Sequence, residues 1–302
     1  MTLEDKLKAG QFVLTAEVTP PVSCSADELF DKALPLKGLA DGVNVTDAAG
    51  ARAAIGALTA ATLLTTKGIE PILQFTCRDR NRIGLQGDLM SAAAVGVRNM
   101  LILRGDDPSA GDQPDAKPVF DLDPRQLLDT ARRLRDAGEL PTGKKVSGKA
   151  QFFLGGADNP IDPPADWEPK GLKAKIAAGA QFVQTQFCLD PGVVRRYCER
   201  LAKFGVDKEL YLIIGVIPLR SAKSARWIKE KLFGAIVPDA LVDRMENAGD
   251  PIAEGKLACL ELIEELSKIP GVSGAHIMAP GNDSAVPDVL KGARERVKLV
   301  AA

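Results

Sequence analysis

The sequence predicts an α/β protein built as one (β/α)8 barrel, a TIM barrel, with residues 1–302 as a single catalytic domain. Three observations carry this. Short apolar runs alternate eight times with longer helix-like stretches, as in repeated βα units around a parallel sheet. The length of 302 residues suits one such barrel with modest insertions. The turn after the first apolar run reads PPVSCSADE, without the G-x-G-x-x-G fingerprint of an open dinucleotide-binding sheet.

The strands follow in order. Residues 12–19 (FVLTAEVT) and 42–47 (GVNVTD) open the series, followed by 71–77 (PILQFTC) and 99–106 (NMLILRGD). Residues 149–156 (KAQFFLGG), 182–189 (FVQTQFCL), 210–218 (LYLIIGVIP) and 273–278 (SGAHIM) complete it. Between them the helical stretches are 26–36, 51–66, 83–95, 125–137, 171–178 and 193–204, then a double stretch over 221–268 containing the amphipathic run 252–266, before a final helix. The longest irregular segments, 107–123 and 157–169, follow the fourth and fifth strands and are rich in Pro, Asp and Gly. Loops of that length in a compact domain are more often functional than accidental.

Composition narrows the function. Lys and Arg total 39 against 40 Asp and Glu, a net charge of −1, which offers no electrostatic footprint to nucleic acid. The five cysteines, Cys24, Cys77, Cys188, Cys198 and Cys259, are scattered without a C-x-x-C pair, so neither a metal site nor a disulfide framework is expected. The N-terminal MTLEDKLKAG lacks a signal-peptide pattern, and no run approaches the ~18 apolar residues of a membrane span. These features predict a cytoplasmic protein with no membrane partner. A single histidine, His276, excludes His-rich zinc sites and leaves the chemistry to carboxylates, amides or a cofactor.

In a barrel the active site forms at the carboxyl ends of the strands. Polar residues there are Glu17, Asn44, Thr46, Asp47, Gln74, Thr76, Arg104, Asp106, Gln184, Gln186 and His276. Glu17 stands out because it lies in an apolar run, where an unpaired carboxylate is costly or holds its proton more tightly; a buried ion pair is the alternative. Gln184 and Gln186 alternate on one face, pointing into the mouth or satisfying groups inside the barrel. His276 reads equally as a site residue and as a hydrogen-bonded core histidine.

Five motifs recur in order. They are Glu17-Val18-Thr19-Pro20-Pro21, Val45-Thr46, Leu103-Arg104-Gly105-Asp106 followed by a proline, Leu172-Lys173-Ala174-Lys175 leading to Ala178-Gly179-Ala180, and Thr185-Gln186-Phe187 ending near Asp190. Over nearly its whole length the chain thereby resembles the methylenetetrahydrofolate reductase family. The resemblance implies reduction of 5,10-methylenetetrahydrofolate to 5-methyltetrahydrofolate, a step of one-carbon metabolism, with hydride passing from NADH or NADPH through bound FAD. It implies Glu17 as proton donor and Asp106 as the group that recognises the pterin and stabilises developing positive charge. Gln186, Phe187 and Gln184 would contact the folate. Flavin-binding positions map onto Thr46, Gln74, Arg104, Asp106, Phe120, Gly155, Gly156, Ala157, Glu168 and Lys175; no metal is implied.

The chain departs from that pattern in places. Gln74 stands where many members have histidine, and Gly155-Gly156-Ala157-Asp158-Asn159-Pro160 replaces a Tyr-Pro-x-x-His-Pro segment. The folate-contacting arginine of the last βα unit and the glutamine near Ser224 are missing, while Lys223 and Arg226 offer charges for the glutamate tail. Three other readings therefore stand beside the flavoenzyme: a reductase with direct hydride transfer, a folate-binding or methyl-transfer accessory subunit, and a barrel enzyme for another carboxylate substrate. A homo-oligomer or an electron-transfer partner is left open.

Overall fold

The computed structural model describes residues 1–301, except the side chains of 298–301. Its centre is a closed barrel in which eight parallel strands pair strictly in chain order. They are β1 Val13–Val18, β2 Gly42–Val45, β3 Pro71–Thr76, β4 Asn99–Leu103, β5 Phe153–Asp158, β6 Phe182–Phe187, β7 Tyr211–Val216 and β8 Val272–Ile277. β8 closes on β1 through Thr15 opposite His276. The helices are α1 Leu3–Lys8, α2 Ala26–Ala33, α3 Ala57–Thr66, α4 Arg82–Ala94, α5 Pro124–Ala137, α6 Lys170–Ala177, α7 Pro191–Lys203, α8 Ala222–Lys231, α9 Asp239–Glu246, α10 Pro251–Ser267 and α11 Val286–Ala301. No helix among the described residues is long and apolar enough to cross a membrane.

Strand alternation divides the core in two. Outward residues such as Leu14, Ala16, Val43, Leu73, Phe75 and Ile214 pack under the helices. Inward residues at the amino end, Val13, Ile72, Leu101, Phe153, Phe182 and Ile213, form a separate apolar cluster with Leu3 and Leu7. These two leucines belong to α1, which plugs the bottom of the barrel. Thr2 starts α1 with a capping box to Asp5, satisfying two backbone donors that would otherwise be orphaned.

Asp41, 5% exposed, fastens this plug. It accepts hydrogen bonds from Lys6 of α1 at 2.7 Å, the Leu14 backbone N–H at 2.7 Å and Arg294 of α11 at 2.8 Å. Burial pushes its pKa up, but the Leu14 N–H and the two cations outweigh burial and hold it below the ordinary aspartate value. A depressed carboxylate stabilises the fold above its unfolded pKa, and that contribution is lost as pH falls through the folded value. Asp41→Asn should therefore destabilise the fold at neutral pH, and its penalty should shrink in acid; unfolding curves at two pH values check both.

Several boundaries differ from the sequence reading. The helix expected over 51–66 begins only at Ala57, because residues 48–51 form a tight turn with Ala48, Gly50 and Ala51 at positive φ. The double stretch over 221–268 is three helices, with Pro238 capping α9 and Asp250-Pro251 starting α10. The fifth strand begins later, at Phe153, and continues to Asp158, where Ala157 and Asp158 pair with Gln184 and Thr185.

Candidate active site at the barrel mouth

Above the apolar floor the barrel interior turns polar. Thr15, Asn44, Gln184 and His276 are all buried and bonded to one another. The Asn44 and Gln184 amides exchange two hydrogen bonds, at 2.6 and 3.0 Å. Gln184 Nε2 also donates to Thr15 Oγ1 at 3.1 Å, and Thr15 Oγ1 lies 3.0 Å from His276 Nδ1. One step toward the mouth, Gln74 Nε2 donates to Glu17 Oε2 at 2.8 Å. His276 Nε2 faces the same oxygen at 3.9 Å. The Glu17 side chain keeps 23% exposure, and among the described residues its Oε1 has no hydrogen-bond partner.

The rim over β2, β3 and β4 is tied by charge. Asp47 accepts from the Thr76 N–H and hydroxyl, each at 2.9 Å, and from Arg80. Arg78, buried at 2% exposure, pairs with Asp79 and donates to the Asp106 and Ala48 carbonyls at 3.2 Å. The Asp106 carboxylate accepts from the Gly50 N–H at 2.7 Å. Gly105 must be glycine: its φ is +91°, and a Cβ there would lie 3.0–3.1 Å from Arg78 and Thr76. Ala48, Ala51 and Phe120 also hold positive φ. For non-glycine residues this costs roughly 1–3 kcal/mol each and concentrates at functional sites. The Arg104 guanidinium stacks over Phe120 at 4.6 Å and forms no ion pair among the described residues.

A second group of the expected flavin positions sits apart, around a cavity of about 340 Å³ lined by Ala157, Asp158, Trp167, Glu168, Lys175 and Tyr197. Lys175 donates to the Ala157 carbonyl at 2.5 Å and pairs with Asp158 at 3.6 Å. Asp158 also accepts from the Tyr197 hydroxyl at 2.5 Å, and burial pushes its pKa up. Glu168 pairs with Lys170 at 3.7 Å. Gly155 serves packing, since a Cβ there would meet the Phe182 ring at 2.3 Å, whereas one on Gly156 would make only an ordinary contact with Lys175 at 3.5 Å. The close approach allowed at Gly155 is thus that of Phe182, correcting its assignment to a ligand.

Beyond β7 and β8 lies a third hollow of about 400 Å³, lined by Arg220, Ser221, Lys223, Trp227, Pro280 and Asn282 among others. Arg226, expected to share the tail-binding role, pairs instead with Glu246. Lys223 is exposed.

Two folate-contact expectations change. Gln184 lies one layer below the mouth, with its amide spent on Asn44 and Thr15. Phe187 is 3% exposed in the outer core, because Gln184 and Gln186 take the inward face of β6 and the next residue along a strand points the other way, under the helices. Gln186 stays partly exposed, its Oε1 accepting from the Phe187 N–H at 3.0 Å. Sequence reasoning assigned no role to Thr15 or to the rim held by the Arg80–Asp47 and Arg78–Asp79 pairs. Thr15 shares the inward face of β1 with Glu17, two residues earlier, but lacks the charge that marked Glu17.

A flavin fits this donor set at its ring edge. Among the described residues Thr46 Oγ1 is buried with no hydrogen-bond partner, an orphan that a ligand carbonyl or N–H would satisfy, and Arg104, stacked on Phe120, forms no ion pair and could meet a phosphate. At Lys175 the charge is already balanced by Asp158.

The family model described as methylenetetrahydrofolate reductase matches residues 2–294. The chain is 26% identical over 237 residues to a probable methylenetetrahydrofolate reductase (NADPH) of Caenorhabditis elegans, covering 77% of this chain and 33% of that protein. To a 5,10-methylenetetrahydrofolate reductase of Pectobacterium carotovorum subsp. carotovorum it is 26% identical over 162 residues, covering 54% and 48%. The chain thus spans a third to a half of the length of these curated relatives. Among solved structures, an uncharacterized protein from Clostridium thermocellum that binds two copies of 5-methyl-5,6,7,8-tetrahydrofolic acid shares the fold, with TM-score 0.68 and 13% identity over 98% of this chain and 99% of that one.

Proposed function

Since the chain belongs to the methylenetetrahydrofolate reductase family, we propose that it reduces 5,10-methylenetetrahydrofolate to 5-methyltetrahydrofolate at the barrel mouth, with NADH or NADPH as electron donor. The observation that carries this reading is Glu17, a half-buried carboxyl with one oxygen tied by Gln74 and the other open to the mouth.

The chemistry needs an acid at that point. The methylene bridge of the substrate is flanked by two nitrogens, and hydride adds once one C–N bond has opened. Protonation of the departing nitrogen by Glu17 lets that bond break with its electron pair on nitrogen, leaving an iminium carbon and a Glu17 carboxylate. Hydride addition at that carbon completes the methyl group. Asp106, held by the Gly50 N–H, faces the cationic intermediate as its counter-charge and takes the pterin's donor edge. Gln186 adds a hydrogen bond to the pterin. The hollow with Lys223, Arg220 and Trp227 suits an aromatic ring bearing a carboxylate tail.

FAD is the proposed carrier, with Thr46, Gln74, Arg104, Asp106 and Phe120 toward its ring and phosphates, and Ala157, Glu168 and Lys175 around the second cavity. When bound, it relays hydride from the nicotinamide to the folate carbon. Direct transfer from the nicotinamide is the second reading, favoured by the commitment of Lys175 to Asp158 and Ala157. Absorbance of the purified protein, combined with nicotinamide oxidation on adding methylenetetrahydrofolate, tests the proposal. Folate-dependent oxidation by protein with a flavin band supports the relay; the same oxidation by colourless protein transfers the reading to the direct route. Folate binding without oxidation by either nicotinamide contradicts the proposal.

A further inference from the structure

Resting on the reading of Glu17 as acid, we infer that His276 is a positioning residue for the proton transfer, fixed as the Nε2–H tautomer so that its N–H and that of Gln74 converge on one oxygen of Glu17 and leave the proton on the other. The tautomer is set at Nδ1. Thr15 Oγ1 accepts from Gln184 Nε2 at 3.1 Å, so its own hydrogen is free for His276 Nδ1 at 3.0 Å. Gln184 Nε2 lies 3.5 Å from Nδ1, but its two hydrogens go to Thr15 and Asn44, so the Thr15 hydroxyl is the donor on this side. With the Thr15 hydroxyl donating, Nδ1 acts as acceptor, and a neutral imidazole then carries its hydrogen on Nε2.

Nε2 looks at Glu17 Oε2 across 3.9 Å, too long for a direct hydrogen bond but close for a charge facing an N–H dipole. Gln74 Nε2 reaches the same Oε2 at 2.8 Å. An oxygen facing two N–H groups is a poor place for an acid proton, so the proton sits on Oε1, which meets the open mouth. When Oε1–H passes its proton to the substrate nitrogen, the O–H electron pair stays on Glu17, and the new charge is met by the two donors already aimed at it. Such donors cost no reorganisation at the moment of transfer.

The chain's single histidine makes the test unambiguous, because a 15N-labelled sample contains one imidazole. Long-range 1H–15N correlation on the full-length protein should show Nδ1 unprotonated and Nε2 protonated, and Glu17→Gln should shift the Nε2 resonance. An Nδ1–H tautomer or an imidazolium at neutral pH overturns the inference. In kinetics, His276→Leu should lower kcat by about tenfold with little change in KM. His276→Gln, whose amide N–H reaches a similar place, should restore most of it. Unchanged kcat in the leucine variant, or equal loss in both variants with intact folding, also overturns it. The NMR result is read without turnover. An active Glu17→Gln enzyme would therefore refute the acid role while the tautomer stood on its own.

Discussion

Glu17→Gln is expected to reduce folate turnover by about 10³-fold while the protein stays folded, in the middle of the range that a positioned general acid contributes. Glutamine matches the shape of glutamate and can still meet Gln74 after an amide flip, so the interior hydrogen bonds survive and the melting temperature should move little. What disappears is the proton at the mouth. The substrate's C–N bond then lacks a partner for its departing nitrogen, and the iminium carbon does not form. Delivery of electrons from the nicotinamide to a bound flavin does not require that proton. Rapid mixing with NAD(P)H alone should thus give near wild-type rates, and mixing with methylenetetrahydrofolate should give almost none. Equal loss in both half-reactions would show that Glu17 organises the site as a whole rather than supplying the proton.

The second large effect is on stability. Gln184→Ala removes the centre of the buried polar layer, leaving both ends of the Asn44 amide without their partners at 2.6 and 3.0 Å and Thr15 without its donor. Each unsatisfied buried polar group costs about 1–3 kcal/mol, and the vacated volume adds a packing loss. A destabilisation of roughly 3–5 kcal/mol in denaturant unfolding is the expected outcome. A change below about 1 kcal/mol would mean that water replaces the amide and the layer is not a structural network. Residual activity in this variant should also fall, because Thr15, whose hydroxyl meets His276 beside Glu17, loses the Gln184 hydrogen bond that holds it. The purely peripheral Asp41→Asn change should leave kcat intact.

The barrel was legible because apolar runs recur eight times at βα spacing, and a parallel sheet buried on both faces demands such runs. Glu17 was legible for a related reason: a charge inside an apolar run must have a purpose. The same alternation rule places Thr15 and Asn44 inside the barrel, yet neither is costly enough in sequence to attract attention, and their significance appears only when β1, β2, β6 and β8 close around them. Phe187 was misplaced because the motif match makes it a folate neighbour, whereas alternation with the inward Gln184 and Gln186 already puts it on the outer face of β6. Helix α1 escaped notice because six residues carry little periodic signal, and its fit depends on the floor residues of six strands. The rim built by Asp47, Arg78 and Arg80 is a set of contacts between separate βα loops, and the left-handed alanines at 48 and 51 have no residue-type signature, since alanine avoids that conformation elsewhere. The charge balance at Lys175 likewise required the position of Asp158, which the motif match does not contain.

The most direct measurement is product analysis of a single turnover: purified protein, methylenetetrahydrofolate and NADH or NADPH, quenched and resolved by mass spectrometry. One 5-methyltetrahydrofolate should form for each nicotinamide oxidised in the wild type, and methylenetetrahydrofolate should be recovered unchanged from Glu17→Gln. Folate that binds the wild-type protein yet is returned unreduced with both nicotinamides would contradict it.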